Sequence, residues 1–287
     1  MFSTVLIPTD LSPASDSVAE CAGSLVPLGM KSIVLLHALG LRHLEDMAPA
    51  LEADARPKLD AQARSLRRTG LPVEVVVAPG VAPQEIDRVA RERHASLVLL
   101  GSQGASLASE LRVGSVTLET LHRSKVPVLV ARVTCQPSDE GATTCRALAS
   151  RILHPTDFSD AAERAFAYVR ALVKGGARSV SLIHVQDRRR PHGHSQDKLA
   201  DFDRIDRDRL GRLADELRTT ADVSMDLAYG SPIQEILRCA AKMPDSLIVM
   251  GTQGRGFIPE VLLGSVSHAV ARQANAPVLL IPAHRGA

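Results

Sequence analysis

Four small residues at fixed spacing, Gly101, Gly104, Gly114 and Ser115, return in the same spacing as Gly251, Gly254, Gly264 and Ser265. Each G-x2-G-x9-G-S array follows an apolar run, Ala95 to Leu100 or Leu247 to Met250, and precedes a segment of helical character. The glycines therefore fall where a strand hands over to a helix. Glycine lets the backbone come close to an anion, exposed N–H groups point at it, and the positive end of the helix dipole favours negative charge. Phosphate is the chemistry this pattern suits. If the loop folds back, the N–H groups and hydroxyls of Gly114-Ser115 and Gly264-Ser265 bracket a triphosphate from the far side. A competing reading makes Gly101 and Gly104 a tight turn and Gly114 a close helix contact, but it leaves the Gly-Ser pairs unexplained.

An acid accompanies each array. Pro8-Thr9-Asp10 and Pro155-Thr156-Asp157 end the first apolar run of each half, which puts a carboxylate at the carboxyl edge of a sheet, in reach of a ribose or a base. Ser12 and Ser159 follow at positions suited to helix capping, and a turn or capping role is the competing reading for the two aspartates themselves. Other chemistries fail on spacing. The chain has neither G-x4-G-K-[ST] nor G-x-G-x-x-G, and no nucleophile stands with a paired base. His37 and His184 lie at matching positions inside apolar runs and are expected to be structural. His192 and His194 follow Arg188-Arg189-Arg190 and read as solvated loop, with an anion-attracting or weak metal site as the alternative. Of the four cysteines, Cys21 and Cys239 are expected to pack as small apolar residues, whereas Cys135 and Cys145 flank a linker and bridge only under oxidation.

These residues need a scaffold, and the repeat supplies its outline. Val5 to Ser12 matches Ile152 to Ser159, Ser32 to Ala38 matches Ser179 to Val185, Gly80 to Ile86 matches Gly230 to Ile236, and Val126 to Val130 matches Ala276 to Leu280. A period this long signals domain duplication, because solenoid repeats run about 20–50 residues. Short β-branched runs alternate with longer stretches of helical period, which predicts parallel strands joined by crossover helices. Strands are expected near 4–9, 32–38, 72–79, 96–101 and 126–132, with helices near 13–27, 47–69, 83–94 and 112–124. The second half repeats this with strands near 151–155, 178–186, 223–229, 246–251 and 276–282. The fold class is α/β: two tandem doubly wound domains, each a five-stranded parallel sheet with helices on both faces. Residues 134–149 lack apolar periodicity and read as linker, so the domains are 1–140 and 141–287.

Composition excludes several classes. The net charge of +2 forms no basic block, and two Tyr, five Phe and no Trp leave few aromatics for stacking bases, so nucleic acid is not an expected partner. No apolar run approaches the roughly 18 residues that span a bilayer, and Asp10 interrupts the N-terminal stretch before it could serve as a signal peptide. A soluble cytoplasmic protein is expected.

At these residues the chain resembles the tandem form of the universal stress protein family. The features are the Pro-Thr-Asp strand end, the His-Ala or His-Val end of the second strand, the G-x2-G-x9-G-S array and the closing Pro-Val-Leu strand. The resemblance implies a fold of the adenine nucleotide alpha hydrolase type, with ATP, or AMP or ADP, in each domain and Mg2+ as companion of the triphosphate. It implies that Asp10 and Asp157 hold the ribose, that the backbone of Ala38 and Val185 meets the adenine, and that the glycines with Ser115 and Ser265 hold phosphates. Pro8, Thr9, Leu100 and Val116, with Pro155, Thr156, Met250 and Val266, complete the two sites. Members that bind ATP carry a basic residue after the second glycine and Leu-Leu before the Gly-Ser. The second copy keeps these as Arg255 and Leu262-Leu263; the first has Ala105 and Arg112-Val113, so the second site is expected to bind more tightly. Pairing through the last strands is implied too, as an intramolecular pseudo-dimer and again between chains as a homodimer. The function implied is nucleotide-dependent regulation in stress adaptation through a protein partner the sequence does not identify. A slow ATPase and a scaffold with empty sites are the alternatives, and dedicated catalysis is not expected.

Overall fold

Apolar runs without polar alternation become strands covered on both faces, as a parallel sheet under helices requires. In β1 (Thr4–Thr9) Val5, Leu6 and Ile7 are at most 1% exposed, and Leu97, Val98 and Leu99 of β4 (Leu97–Gly101) are fully buried. The structure is a computed structural model that describes residues 1–40, 47–102, 113–132, 150–187, 196–243, 245–254 and 263–283. The chain divides into two compact units, Met1–Ala147 and Leu148–Ala287.

In the first unit β2 (Ser32–Ala38), β3 (Val73–Ala78) and β5 (Val128–Ala131) join β1 and β4 in the order β3-β2-β1-β4-β5. The second unit repeats it with β6 (Arg151–Pro155), β7 (Ser179–Gln186), β8 (Asp222–Tyr229), β9 (Ser246–Gly251) and β10 (Val278–Ile281), ordered β8-β7-β6-β9-β10. Within each unit the strand pairings are parallel. Crossover helices are α1 (Pro13–Cys21), α2 (Ala48–Arg67), α3 (Ala82–Glu92) and α4 (Ser115–Arg123), then α5 (Asp160–Lys174), α6 (Gln196–Asp215), α7 (Pro232–Lys242) and α8 (Ser265–Gln273). Their apolar stripes face the sheets: Ile86, Val89 and Ala90 of α3 are buried while Arg88 and Arg91 pair outward with acids of the same helix.

Two expectations change. The helix expected over 13–27 stops at Cys21 and tightens into a 3-10 segment, Ala22–Leu28. Pro27 has no N–H to offer the carbonyl four residues back, and its ring would strike that carbonyl, so an α-helix cannot continue through it. Cys21 is buried as expected but is disulfide-bonded rather than a packed thiol; the free thiol among the described residues is Cys239, and Cys135 and Cys145 lie outside them. Spacing along a chain does not reveal such a pairing.

The winding reverses beside β1 and β6, and there the sheet opens. β1 stays in register with β2 from Thr4 to Thr9, but with β4 only at Val5–Leu97 and Leu6–Val98. Likewise β6 pairs with β9 only from Arg151–Ser246 to Leu153–Ile248. Beyond these pairs the strands part towards their carboxyl ends, making the crevice where doubly wound sheets receive ligands. At the second parting His154, fully buried, donates from Nδ1 to the next β9 carbonyl, Val249 O, at 2.8 Å. Its Nε2 is buried without a partner, and desolvation lowers its pKa to about 4 against the pull of the Val249 bond and of Asp157.

Candidate functional site

The strand ends that carry the two aspartates are built alike. Thr9 Oγ1 accepts from Leu11 N, and Thr156 Oγ1 from Phe158 N, both at 3.0 Å. This turn puts Leu11 and Phe158 at φ 63° and 58°, unusual for bulky residues. Asp10 Oδ1 accepts from Ser12 N at 3.1 Å and Ser12 Oγ at 2.6 Å, and Asp157 Oδ1 from Ser159 in the same two ways at the same distances. Each serine hydroxyl in turn caps its helix, accepting from Ser15 N or Ala162 N at 3.3 Å. One carboxylate oxygen thus performs the turn role that the sequence allowed for, while both aspartates also line cavities. The copies differ at one place: Ser15 Oγ donates to Asp10 Oδ1 as well, whereas Ala162 has no hydroxyl.

Opposite each aspartate lies a helix N-terminus. Gly114 and Gly264 are the N-cap residues of α4 and α8 and provide no side-chain cap. Their own N–H groups do not bracket a ligand, as the sequence suggested; they donate to Ser102 O at 2.8 Å and Thr252 O at 2.6 Å, closing the loop. The next donors are placed differently. The first helical bonds return from Leu118 N to Gly114 O and from His268 N to Gly264 O, so the N–H groups of the three preceding residues, Ser115 to Thr117 and Ser265 to Ser267, have no intrahelical acceptor. Thr117 Oγ1 and Ser267 Oγ fasten the helix to the strand end through Gly101 O and Gly251 O at 2.9 and 2.8 Å.

A cavity of about 290 Å³ in the first unit is lined by Pro8, Thr9 and Asp10, by Ala38, by Leu100 and Gly101, and by Gly114, Ser115 and Val116. Its counterpart of about 300 Å³ in the second is lined by Pro155, Thr156 and Asp157, by Val185, by Met250, Gly251 and Gly254, and by Gly264, Ser265 and Val266. The structure brings these candidate residues together; Gly104 and Arg255 lie outside the described residues, as do Ala105, Arg112, Leu262, His192 and His194. Two glycines have steric reasons of their own. A Cβ on Gly251 would sit 2.8 Å from Ala161 O at the start of α5, and one on Gly254 would sit 2.5 Å from Asp157 Oδ2. Gly251 therefore permits helix packing, and Gly254 permits the aspartate's position.

His37 and His184 each donate from Nδ1 to the carbonyl just before the aspartate, Thr9 O at 2.9 Å and Thr156 O at 2.7 Å. The carbonyl only accepts, which sets the tautomer. Their other edges differ. His184 Nε2 lies 3.3 Å from Asp206 Oδ2, and the ring packs on Phe158 at 4.6 Å, with the Arg209 guanidinium 5.4 Å from the Phe158 centroid. His37 lines the first cavity, and His184 does not line the second. The sequence reading missed this, and also the wall made by the crossover helices: Ala82 and Ile86 of α3, Pro232 and Ile236 of α7. Their only sequence signal was the repeated Gln-Glu-Ile, which marks the duplication without marking a lining.

Comparison with known proteins follows the same division. The sequence profile of the universal stress protein family matches residues 1–132 and 149–282. A universal stress protein of Methanocaldococcus jannaschii is 28% identical over 155 residues, 46% of this chain and 96% of that protein. One of Mycobacterium tuberculosis is 28% identical over 197 residues, 65% of this chain and 61% of that one. Among solved structures, a universal stress protein from Archaeoglobus fulgidus matches with a TM-score of 0.73 at 28% identity, covering 97% of both chains.

Proposed function

We propose, on the premise that the chain belongs to the universal stress protein family, that each domain, 1–140 and 141–287, binds an adenine nucleotide and that occupancy regulates contacts with a protein partner in stress adaptation. The observation that carries this reading is the pairing, in one cavity, of N–H groups left without helical acceptors and a carboxylate at the strand tip. The first suits phosphate and the second a ribose hydroxyl, and the two stand on opposite sides of the sheet's parting. Apart from His37 in the first cavity and Gln253 in the second, the remaining wall is apolar, with Ile86 or Ile236 offering a surface for a planar base. The residues present therefore fit ATP, AMP or ADP: Ser115, Val116 and Thr117, or Ser265, Val266 and Ser267, would hold phosphate, and Asp10 or Asp157 the sugar. Mg2+ would accompany a triphosphate as its counter-ion.

The test is to denature the purified protein, identify any released nucleotide by chromatography, and titrate ATP calorimetrically into the emptied chain. Binding at two sites, lost stepwise in Asp10→Ala and Asp157→Ala, is the expected result. No released nucleotide together with no ATP heat would refute it. The tandem repeat fits an intramolecular pseudo-dimer; a further homodimer would give twice the 30.7 kDa chain mass in light scattering. Cytoplasmic residence belongs to the same proposal. Among the described residues no helix is long and apolar enough to cross a membrane.

A further inference from the structure

We propose that the two cavities select different base ends, the first accepting purine nucleotides with a substituent on the base that the second excludes. The inference rests on the nucleotide reading above and concerns what each site tolerates.

Topology orients the ligand. The helix N-termini of α4 and α8 stand on the β4 and β9 side of each crevice, and the aspartates stand at the tips of β1 and β6. The opposite wall, from β2 with α3 or from β7 with α7, carries no charged lining residue among those described. Phosphate at one end and sugar in the middle leave this wall to the base.

Residues at matching positions of that wall differ in bulk. Ile86 and Ile236 are equal, but Ala38 of the first cavity answers Val185, and Ala82 answers Pro232. Two methyls and two ring carbons are thus added on the second side. The cavities nonetheless have nearly the same volume, about 290 and about 300 Å³. Elsewhere the first cavity carries the larger residues: Ser15 stands for Ala162, Thr117 for Ser267, and His37 lines it where His184 does not line the second. Against the base the first cavity thus sets the smaller residues at Ala38 and Ala82, and beside the aspartate and the helix start the larger ones at Ser15 and Thr117.

Polarity divides them too. His37 reaches the first cavity with Nδ1 held by Thr9 O, which leaves its Nε2 edge for a ligand. The matching edge of His184 lies against the Asp206 carboxylate, 3.3 Å from Oδ2, and its face packs on Phe158. An added polar or polarisable group on the base finds both space and a hydrogen-bonding neighbour in the first site alone.

The experiment titrates ATP, N6-methyl-ATP, 2-chloro-ATP and 8-bromo-ATP into the wild-type chain and into Asp157→Ala and Asp10→Ala, which retain the first and second sites. At least one analogue is expected to bind the first site within a few-fold of ATP and the second about tenfold or more weakly, since one mismatched carbon in a tight apolar pocket alters selectivity by roughly 10–200-fold. The wild-type chain should then show two separate steps with that analogue. Ala38→Val in the Asp157→Ala chain should lower the analogue-to-ATP affinity ratio about tenfold. Equal ratios at both sites for all three analogues, a reversed preference, or one uniform class in the wild-type chain overturns the proposal while leaving nucleotide binding intact. No binding of ATP to any of these chains overturns the nucleotide reading itself, and this inference with it.

Discussion

His154 should make the second domain acid-sensitive in a definite window. The imidazole is fully buried, its Nε2 has no partner, and its pKa is lowered from the ordinary 6.5 to about 4 by desolvation. In the unfolded chain the ring takes a proton as pH falls below about 6.5, while in the folded chain it stays neutral until about 4. Stability from the neutral ring is therefore complete above about pH 6.5 and is lost progressively as pH falls towards about 4. Between about pH 7.5 and about pH 5 the linkage relation gives a loss of about 2 kcal/mol, approaching about 3 kcal/mol at the end of the window. The assay is unusually clean. The chain has no Trp and two Tyr, and both, Tyr168 in α5 and Tyr229 in β8, belong to the second unit. Tyrosine fluorescence followed through a urea titration thus reports that unit, and about 2 kcal/mol moves its midpoint by about 1 M at ordinary denaturant slopes. His154→Leu removes the titration but strands Val249 O, so the comparison is of slopes with pH rather than of absolute stability. If the wild-type midpoint is flat across the window, or falls as steeply in His154→Leu, the reasoning is wrong.

Three further outcomes follow from the site's geometry. Gly254→Ala puts a Cβ 2.5 Å from Asp157 Oδ2; the carboxylate must move, and ATP affinity at the second site should fall about tenfold, the worth of one charged hydrogen bond, with circular dichroism unchanged. Gly251→Ala meets a backbone carbonyl, Ala161 O, at 2.8 Å and should cost about 1–3 kcal/mol of stability; an unmoved tyrosine-detected urea midpoint would count against it. Ser159→Ala removes the cap of α5 and a donor to Asp157, for an expected loss of about 1 kcal/mol in the same titration.

Apolar run length and its alternation with helical period located the strands to within a residue or two, because neighbours in sequence decide the character of a short buried strand. Helix ends were less legible: Pro27 sits in an apolar stretch that continues the helical stripe, and its missing N–H and its ring keep α-helical bonding from running on through Ala22–Leu28. At the site, the glycine spacing pointed to the loop, but several reasons for those glycines lie in space. Gly251 answers to α5, and Gly254 to an aspartate almost a hundred residues earlier. The α3 and α7 walls, the Asp206–His184 pair and the burial of His154, where the first copy has Ile7, depend on crossover packing that no local pattern encodes.

The donors at the start of α4 and α8 belong to the main chain, and this changes which substitutions are informative. An alanine scan of the lip leaves each N–H in place, so Ser265→Ala and Val266→Ala would report a tolerant surface while the anion seat stayed intact. Proline does the opposite. In the first helical turn it deletes an N–H that no helical carbonyl uses and keeps a compatible φ, so the helix survives. Here the residue usually reserved for breaking helices becomes the gentle probe, and Val266→Pro would subtract one contact from a nucleotide without touching a side chain the fold relies on.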